Sequence, residues 1–96
     1  MFFITAFEDL DEEWGIKNSR CFGFYQVFED AERATKENWR DINETIYNYV
    51  VIEEMNEGIH PYAQQRWFYK FDYDKRLYYA IIEPEEARRC CNFALG

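Results

Sequence analysis

The chain has 96 residues, a net charge of −8, 3 cysteines, 2 prolines and 4 glycines. That length fits a single domain over residues 1–96, and the scarcity of Pro and Gly beside 21% aromatic residues excludes disordered and fibrous classes. The negative balance opposes direct contact with nucleic acid or anionic lipid and suits a basic partner, solubility being the plainer account of it.

No apolar run approaches the roughly 20 residues of a membrane helix. The opening "MFFITAF" lacks a basic flank and a small-residue cleavage site, so it reads as the first strand, residues 2–7, of a cytoplasmic protein. The polar "EDLDEEWGIKNSR" after it reads as a loop, and "CFGFYQVF" (21–28) as a second strand in which Gly23 marks a bulge or a close backbone approach. The period then lengthens. Phe28, Ala31, Thr35, Asn38, Trp39, Ile42 and Ile46 recur at helical spacing, which predicts an amphipathic helix over 28–44 with a poor cap at Val27. Glu29–Arg33 and Glu32–Lys36 stand four apart in the favourable order.

Strand character returns at "IYNYVVIEEM" (46–55), where "YVVI" is apolar on both parities, as in a central strand covered on both faces. "NEGIHPYAQQ" is a loop. In "RWFYKFDYDKRLYYAIIE", Trp67, Tyr69, Phe71 and Tyr73 share one parity, the "YDKR" run turns, and "LYYAIIE" comes back. "PEEARRCC" reads as a short helix, and Phe93 and Leu95 of the tail as docked. The expected fold class is α+β: one amphipathic helix packed on a mainly antiparallel five-stranded sheet, β-β-α-β-β-β, with a short C-terminal helix.

The aromatic hairpin carries Arg66, Lys70, Lys75 and Arg76, which invites comparison with a nucleic-acid stacking platform. Asp72, Asp74 and Glu83 offset that charge, and the sheet needs its rings for the core, so core packing is the expectation. No catalytic set is assembled. Asp9, Asp11 and Glu13 alternate like calcium-loop ligands, but Trp14 and Arg20 stand where that loop requires Gly and Glu. Cys90 or Cys91 with His60 lacks any accompanying nucleophile motif. Zinc spacing and a phosphate-cradling glycine loop are both missing, so neither a metal nor a cofactor is expected, and the chain reads as a binding protein rather than an enzyme.

The acids are the remaining signal. Glu8, Asp9, Asp11, Glu12 and Glu13 form one unopposed cluster, Glu53, Glu54 and Glu57 a second, and Glu83, Glu85 and Glu86 a third. Carboxylates spaced on a rigid surface can take the place of phosphates in a Lys/Arg groove, whereas a solvated rim is the bland account of any single cluster. Tyr62, Tyr78 and Tyr79 are candidate aromatic anchors.

The stretches "GFYQVFEDAERATKENWRDI", "YNYVVIEEMNEGIHP", "RWFYKFDYDKRLYYAIIEPEE" and "CNFALG" together resemble a group of small uncharacterised proteins of gut bacteria and their phages. The likeness covers most of the chain and implies no catalytic residue. In general type the chain also looks like phage anti-defence proteins, including anti-CRISPR inhibitors that imitate DNA. The leading expectation is therefore a phage- or mobile-element-encoded inhibitor that occupies the nucleic-acid-binding groove of a basic host protein. Glu8, Asp9, Asp11, Glu12, Glu13, Glu53, Glu54, Glu57, Tyr62, Tyr78 and Tyr79 would be its contacts. A small adaptor or homo-oligomerising module that uses an exposed sheet edge or an aromatic patch is the alternative, and a protein that sequesters a small molecule in an aromatic pocket is the third.

Overall fold

The computed structural model describes residues 1–11, 13, 15–59, 61–89 and 92–95. Five strands form one antiparallel sheet: β1 (Phe2–Asp11), β2 (Gly15–Tyr25), β3 (Tyr49–Glu54), β4 (Gln65–Asp72) and β5 (Leu77–Ile81). Their order is β2-β1-β3-β4-β5, which puts β3 at the centre. The helix α1 (Phe28–Lys36) lies between β2 and β3 in sequence, and a 3₁₀ helix (Glu85–Arg89) follows β5. The α+β expectation holds.

The two-sided apolar reading of β3 has a direct physical counterpart. Val50 and Ile52 face the helix side, packed with Ile4, Ala6, Ala31, Ala34, Tyr69, Phe71 and Tyr78. Val51 faces the other side, packed with Phe7, Phe68, Ala87 and Phe93. The parity of β4 works the same way: Trp67, Tyr69 and Phe71 belong to the helix side, where Trp67 lies 4.3 Å from Phe28, centroid to centroid. Tyr73 falls beyond the strand and is exposed. Phe68, Tyr69, Phe71 and Tyr78 of the hairpin are core, while Tyr73 and Tyr79 stay exposed.

Residues 8–11 and 15–20 depart from the expected loop. They continue β1 and β2 as a long hairpin, with Asp9 opposite Lys17, Leu10 opposite Ile16 and Asp11 opposite Gly15. Leu10 and Ile16 form an apolar pair there, and both pack on the cluster that holds Ala87 and Phe93. The hairpin tip thus lies across the face of the sheet away from α1, over the C-terminal segment. Gly15 permits this in two ways: its φ is +92°, and a Cβ there would stand 3.0 Å from the Glu86 carbonyl oxygen. Lower in the hairpin, the pairing shifts between Ile4 and Thr5, where Gly23 faces Ile4 and Cys21 faces Thr5, leaving Phe22 as the extra residue of a bulge.

The helix also ends early. Val27 offers no side-chain cap, as expected, and α1 stops at Lys36 rather than 44. Asn38 adopts φ 54°, and a single 3₁₀ turn covers Trp39–Asp41. Two asparagines account for the break. The Asn43 backbone N–H donates to Asn38 Oδ1 (2.9 Å), and the Thr45 N–H donates to Asn43 Oδ1 (3.0 Å). Asn43 Nδ2, fully buried, donates to the Tyr47 carbonyl (2.7 Å). Asn tolerates the left-handed region and offers the backbone an alternative to the helix ladder. No helix among the described residues is long and apolar enough to cross a membrane.

Candidate functional site

Two of the expected contact residues are interior. Glu53 sits on β3 with its side chain toward the C-terminal segment and is fully buried. Its carboxylate accepts from the Phe93 N–H (2.9 Å) and the Ala94 N–H (3.0 Å), and Arg66 Nε donates to it at 3.2 Å. Arg66 Nη1 also donates to the Ala87 carbonyl at 3.3 Å, and the guanidinium lies over the Phe93 ring at 4.9 Å. Burial pushes the Glu53 carboxyl above the usual carboxylate range, against the opposing pull of the Phe93 N–H, Arg66 and the Ala94 N–H. Glu53 therefore fastens the C-terminal tail to the sheet and is not a partner contact. Tyr78 is corrected likewise: it is 2% exposed, and its hydroxyl donates to the Tyr47 carbonyl at 2.7 Å.

Other expected contacts remain at the surface. Asp9, Glu13, Glu57, Tyr62 and Tyr79 are exposed, and Glu8, Asp11 and Glu54 are half-buried. Glu12 lies outside the described residues, as do His60, Cys90 and Cys91 of the alternative nucleophile set. The alternating acids of the calcium-like run sit on β1 and at the hairpin turn. There Asp9 Oδ1 accepts from Leu10 N–H and Asp11 Oδ1 from Glu13 N–H, each at 2.8 Å. Among the described residues no cluster of His, Cys, Asp and Glu is arranged to hold a metal ion. Leu95 is exposed rather than docked, whereas Phe93 is buried.

What the sequence did not reveal is the meeting of two acidic runs that lie far apart in the chain. The approach of Gly15 to the Glu86 carbonyl sets the hairpin tip, with Asp9, Asp11 and Glu13, beside the 3₁₀ helix that carries Glu85 and Glu86. Cations nearby among the described side chains include Lys17, opposite Asp9, and Arg66 and Arg88, each 3.9 Å from Glu83. Exposed carboxylates supplied by two rigid elements can contact a basic surface with little ordering on binding.

A second feature lies on the opposite, helix side. A 440 Å³ cavity opens between the bulged part of β2, α1 and the segment after it, lined by Phe22, Phe24, Tyr25, Trp39 and Arg40 among others. No family model, no curated protein and no solved structure matches this chain.

Proposed function

We propose that this chain is an acidic protein-binding module whose hairpin-tip carboxylates occupy a basic, nucleic-acid-binding groove on a partner protein. The observation that supports it is the seating of the hairpin tip against the Glu86 carbonyl, which brings the backbones of two acidic segments together at one end of the sheet. Asp9, Asp11, Glu13, Glu85 and Glu86 carry the contact, Glu53 and Tyr78 having structural duties instead. The finer form of the proposal is a phage- or mobile-element-encoded inhibitor that acts in the cytoplasm on a host defence enzyme by imitating DNA. The reading assigns no catalytic step.

The test is competition. A partner captured from the host is loaded with labelled DNA, and the wild-type chain should displace that DNA. The Asp9→Lys, Glu13→Lys, Glu85→Lys triple variant, altered only at exposed positions, should not. Binding should also weaken steeply between about 0.1 and 1 M salt, because the screening length between exposed charges falls from about 10 to about 3 Å over that range. Displacement by the triple variant equal to that of wild type sinks the proposal.

One observation favours a second reading, a homo-oligomerising module. The β2 edge carries Lys17, Arg20 and a bulge, the usual protections of an edge strand. The β5 edge, "LYYAI", has no charge and no Pro, and it exposes Leu77 and Tyr79. Antiparallel pairing of β5 with its copy would cover both. Sedimentation velocity then gives a dimer for the wild type and a monomer for Tyr79→Lys, and a monomeric wild type removes this reading.

A further inference from the structure

We infer that the cavity beside Trp39 is a binding site for a planar aromatic carboxylate. Its volume, 440 Å³, lies in the range of small-ligand pockets and suits one or two fused rings with a short acidic arm. The floor is apolar: Ile4, Ala34 and Ile42, all buried. The walls are aromatic, and several are fixed in advance. Trp39 donates its indole N–H to Glu37 at 2.8 Å and receives the Arg33 guanidinium over its ring at 5.6 Å. Phe22 meets Tyr47 edge-on at 5.9 Å and lies under Arg20 at 4.9 Å, and Arg20 is in turn held by Glu44 at 2.9 Å. Phe24 leans on Phe3 at 5.4 Å. Walls that are already ordered lower the entropic cost of binding a ring.

Arg40 sets the charge of the ligand. Among the described residues it is the one charged side chain of the lining. Each carboxylate close to it in the chain has its own partner: Glu37 takes Trp39, Asp41 takes Asn38 at 3.5 Å, and Glu44 takes Arg20. Arg40 stands at φ 57°, in a segment where Asn38, Asp41, Glu44 and Thr45 are left-handed as well, so the turn itself sets the position of the Arg40 backbone at the cavity. An exposed guanidinium at the mouth of an aromatic cavity, with no ion pair of its own among the described residues, can donate charge-assisted hydrogen bonds to a ligand carboxylate. The chain's net charge of −8 disfavours a polyanion such as a nucleotide triphosphate, so the fit is to a monoanion.

Indole-3-acetate, benzoate and neutral indole serve as probes, titrated into the full chain while amide and indole N–H resonances are followed by NMR. Saturable shifts at Gly23, Phe24 and the Trp39 indole are expected with both acids. Indole should bind the same site about tenfold or more weakly, the loss expected for a missing charge-assisted contact. Arg40→Gln, an exposed change that leaves the core alone, should bring indole-3-acetate down to the affinity of indole. Ala34→Leu should fill the floor and abolish binding of all three, its folding checked by circular dichroism. Absence of saturable shifts at millimolar probe, shifts that map elsewhere, or equal affinity of indole and its acid overturns the inference. So does an Arg40→Gln variant that binds the acid as the wild type does.

Discussion

Replacing Glu53 by Ala tests how far a single buried carboxylate organises the C-terminal end. The change leaves the buried Phe93 N–H and the neighbouring Ala94 N–H without an acceptor. It also takes from Arg66, 11% exposed, the carboxylate that accepts its Nε–H at 3.2 Å. Removing one partner of a buried pair costs about 3–5 kcal/mol, a large part of the about 5–15 kcal/mol that holds a domain of this size together. At about 4–8 °C per kcal/mol, the melting temperature should fall by about 12–40 °C. Urea unfolding followed by circular dichroism measures the loss, and hydrogen exchange at Phe93 and Ala94 locates it. The difference from wild type also depends on pH. Burial raises the Glu53 carboxyl above its ordinary 4.5, so the folded chain holds that proton more tightly than the unfolded one. A raised carboxyl contributes fully below about pH 4.5, and its contribution fades as pH rises through the raised value. The gap between wild type and variant should therefore be widest in acid and narrow toward neutrality. A loss under about 1 kcal/mol, the net value of one ordinary hydrogen bond, would refute the reasoning. Unchanged exchange protection at Phe93 and Ala94 would do the same.

Tyr69 and Tyr78 give an alkaline counterpart. Burial, and for Tyr69 also the hydrogen bond to Glu32 (2.6 Å), holds both phenols protonated far above their ordinary 10. Their stabilisation is present below that value and lost as pH rises above it. Phenolate absorbance from these two rings, isolated by Tyr69→Phe and Tyr78→Phe, should appear only together with loss of the circular dichroism signal; earlier ionisation would show that the rings are accessible. Thr45, exposed and β-branched, stands at φ 65°, where such a residue costs about 1–2 kcal/mol. Thr45→Asn should therefore stabilise the chain by about 0.5–1 kcal/mol in urea unfolding, and a destabilised variant would mean that the Thr side chain makes a contact of its own.

The parts of this fold that were legible were those where one residue's chemistry decides its neighbour's position. Alternating rings in "RWFYKF" can satisfy their apolar faces only by packing a sheet face, and "YVVI" only by packing two. The misread parts each hid behind a weaker local signal. The stretch 8–20 is rich in charge, and among its described residues Leu10 and Ile16 are the apolar side chains covered, by a segment some seventy residues away in the chain. The helix pattern runs on through Ile42 and Ile46, but Asn38 can bend the backbone left-handed at little cost, and the periodicity of apolar residues carries no record of that.

Charge is harder to read than apolarity, because a carboxylate's role depends on who reaches it. In "VVIEEM", Glu53 and Glu54 are chemically identical neighbours with opposite fates. Glu53 faces the side closed by Phe93, and Glu54 the side that stays partly open. A one-residue register slip would exchange them, putting Glu54 beneath the tail and Glu53 toward solvent. What fixes the register is the apolar pair before them: Val51 must face Phe7 and Phe68, and Val50 and Ile52 must face Ile4 and Tyr69. The buried acid is thus placed by its apolar neighbours. The surface acids at Asp9, Asp11 and Glu13 are placed in turn by Leu10, Ile16 and Gly15, which press the hairpin onto the C-terminal helix. In this chain the charged surface is a consequence of packing, and a change at Ile16 or Gly15 should disperse the acidic surface without touching a single carboxylate.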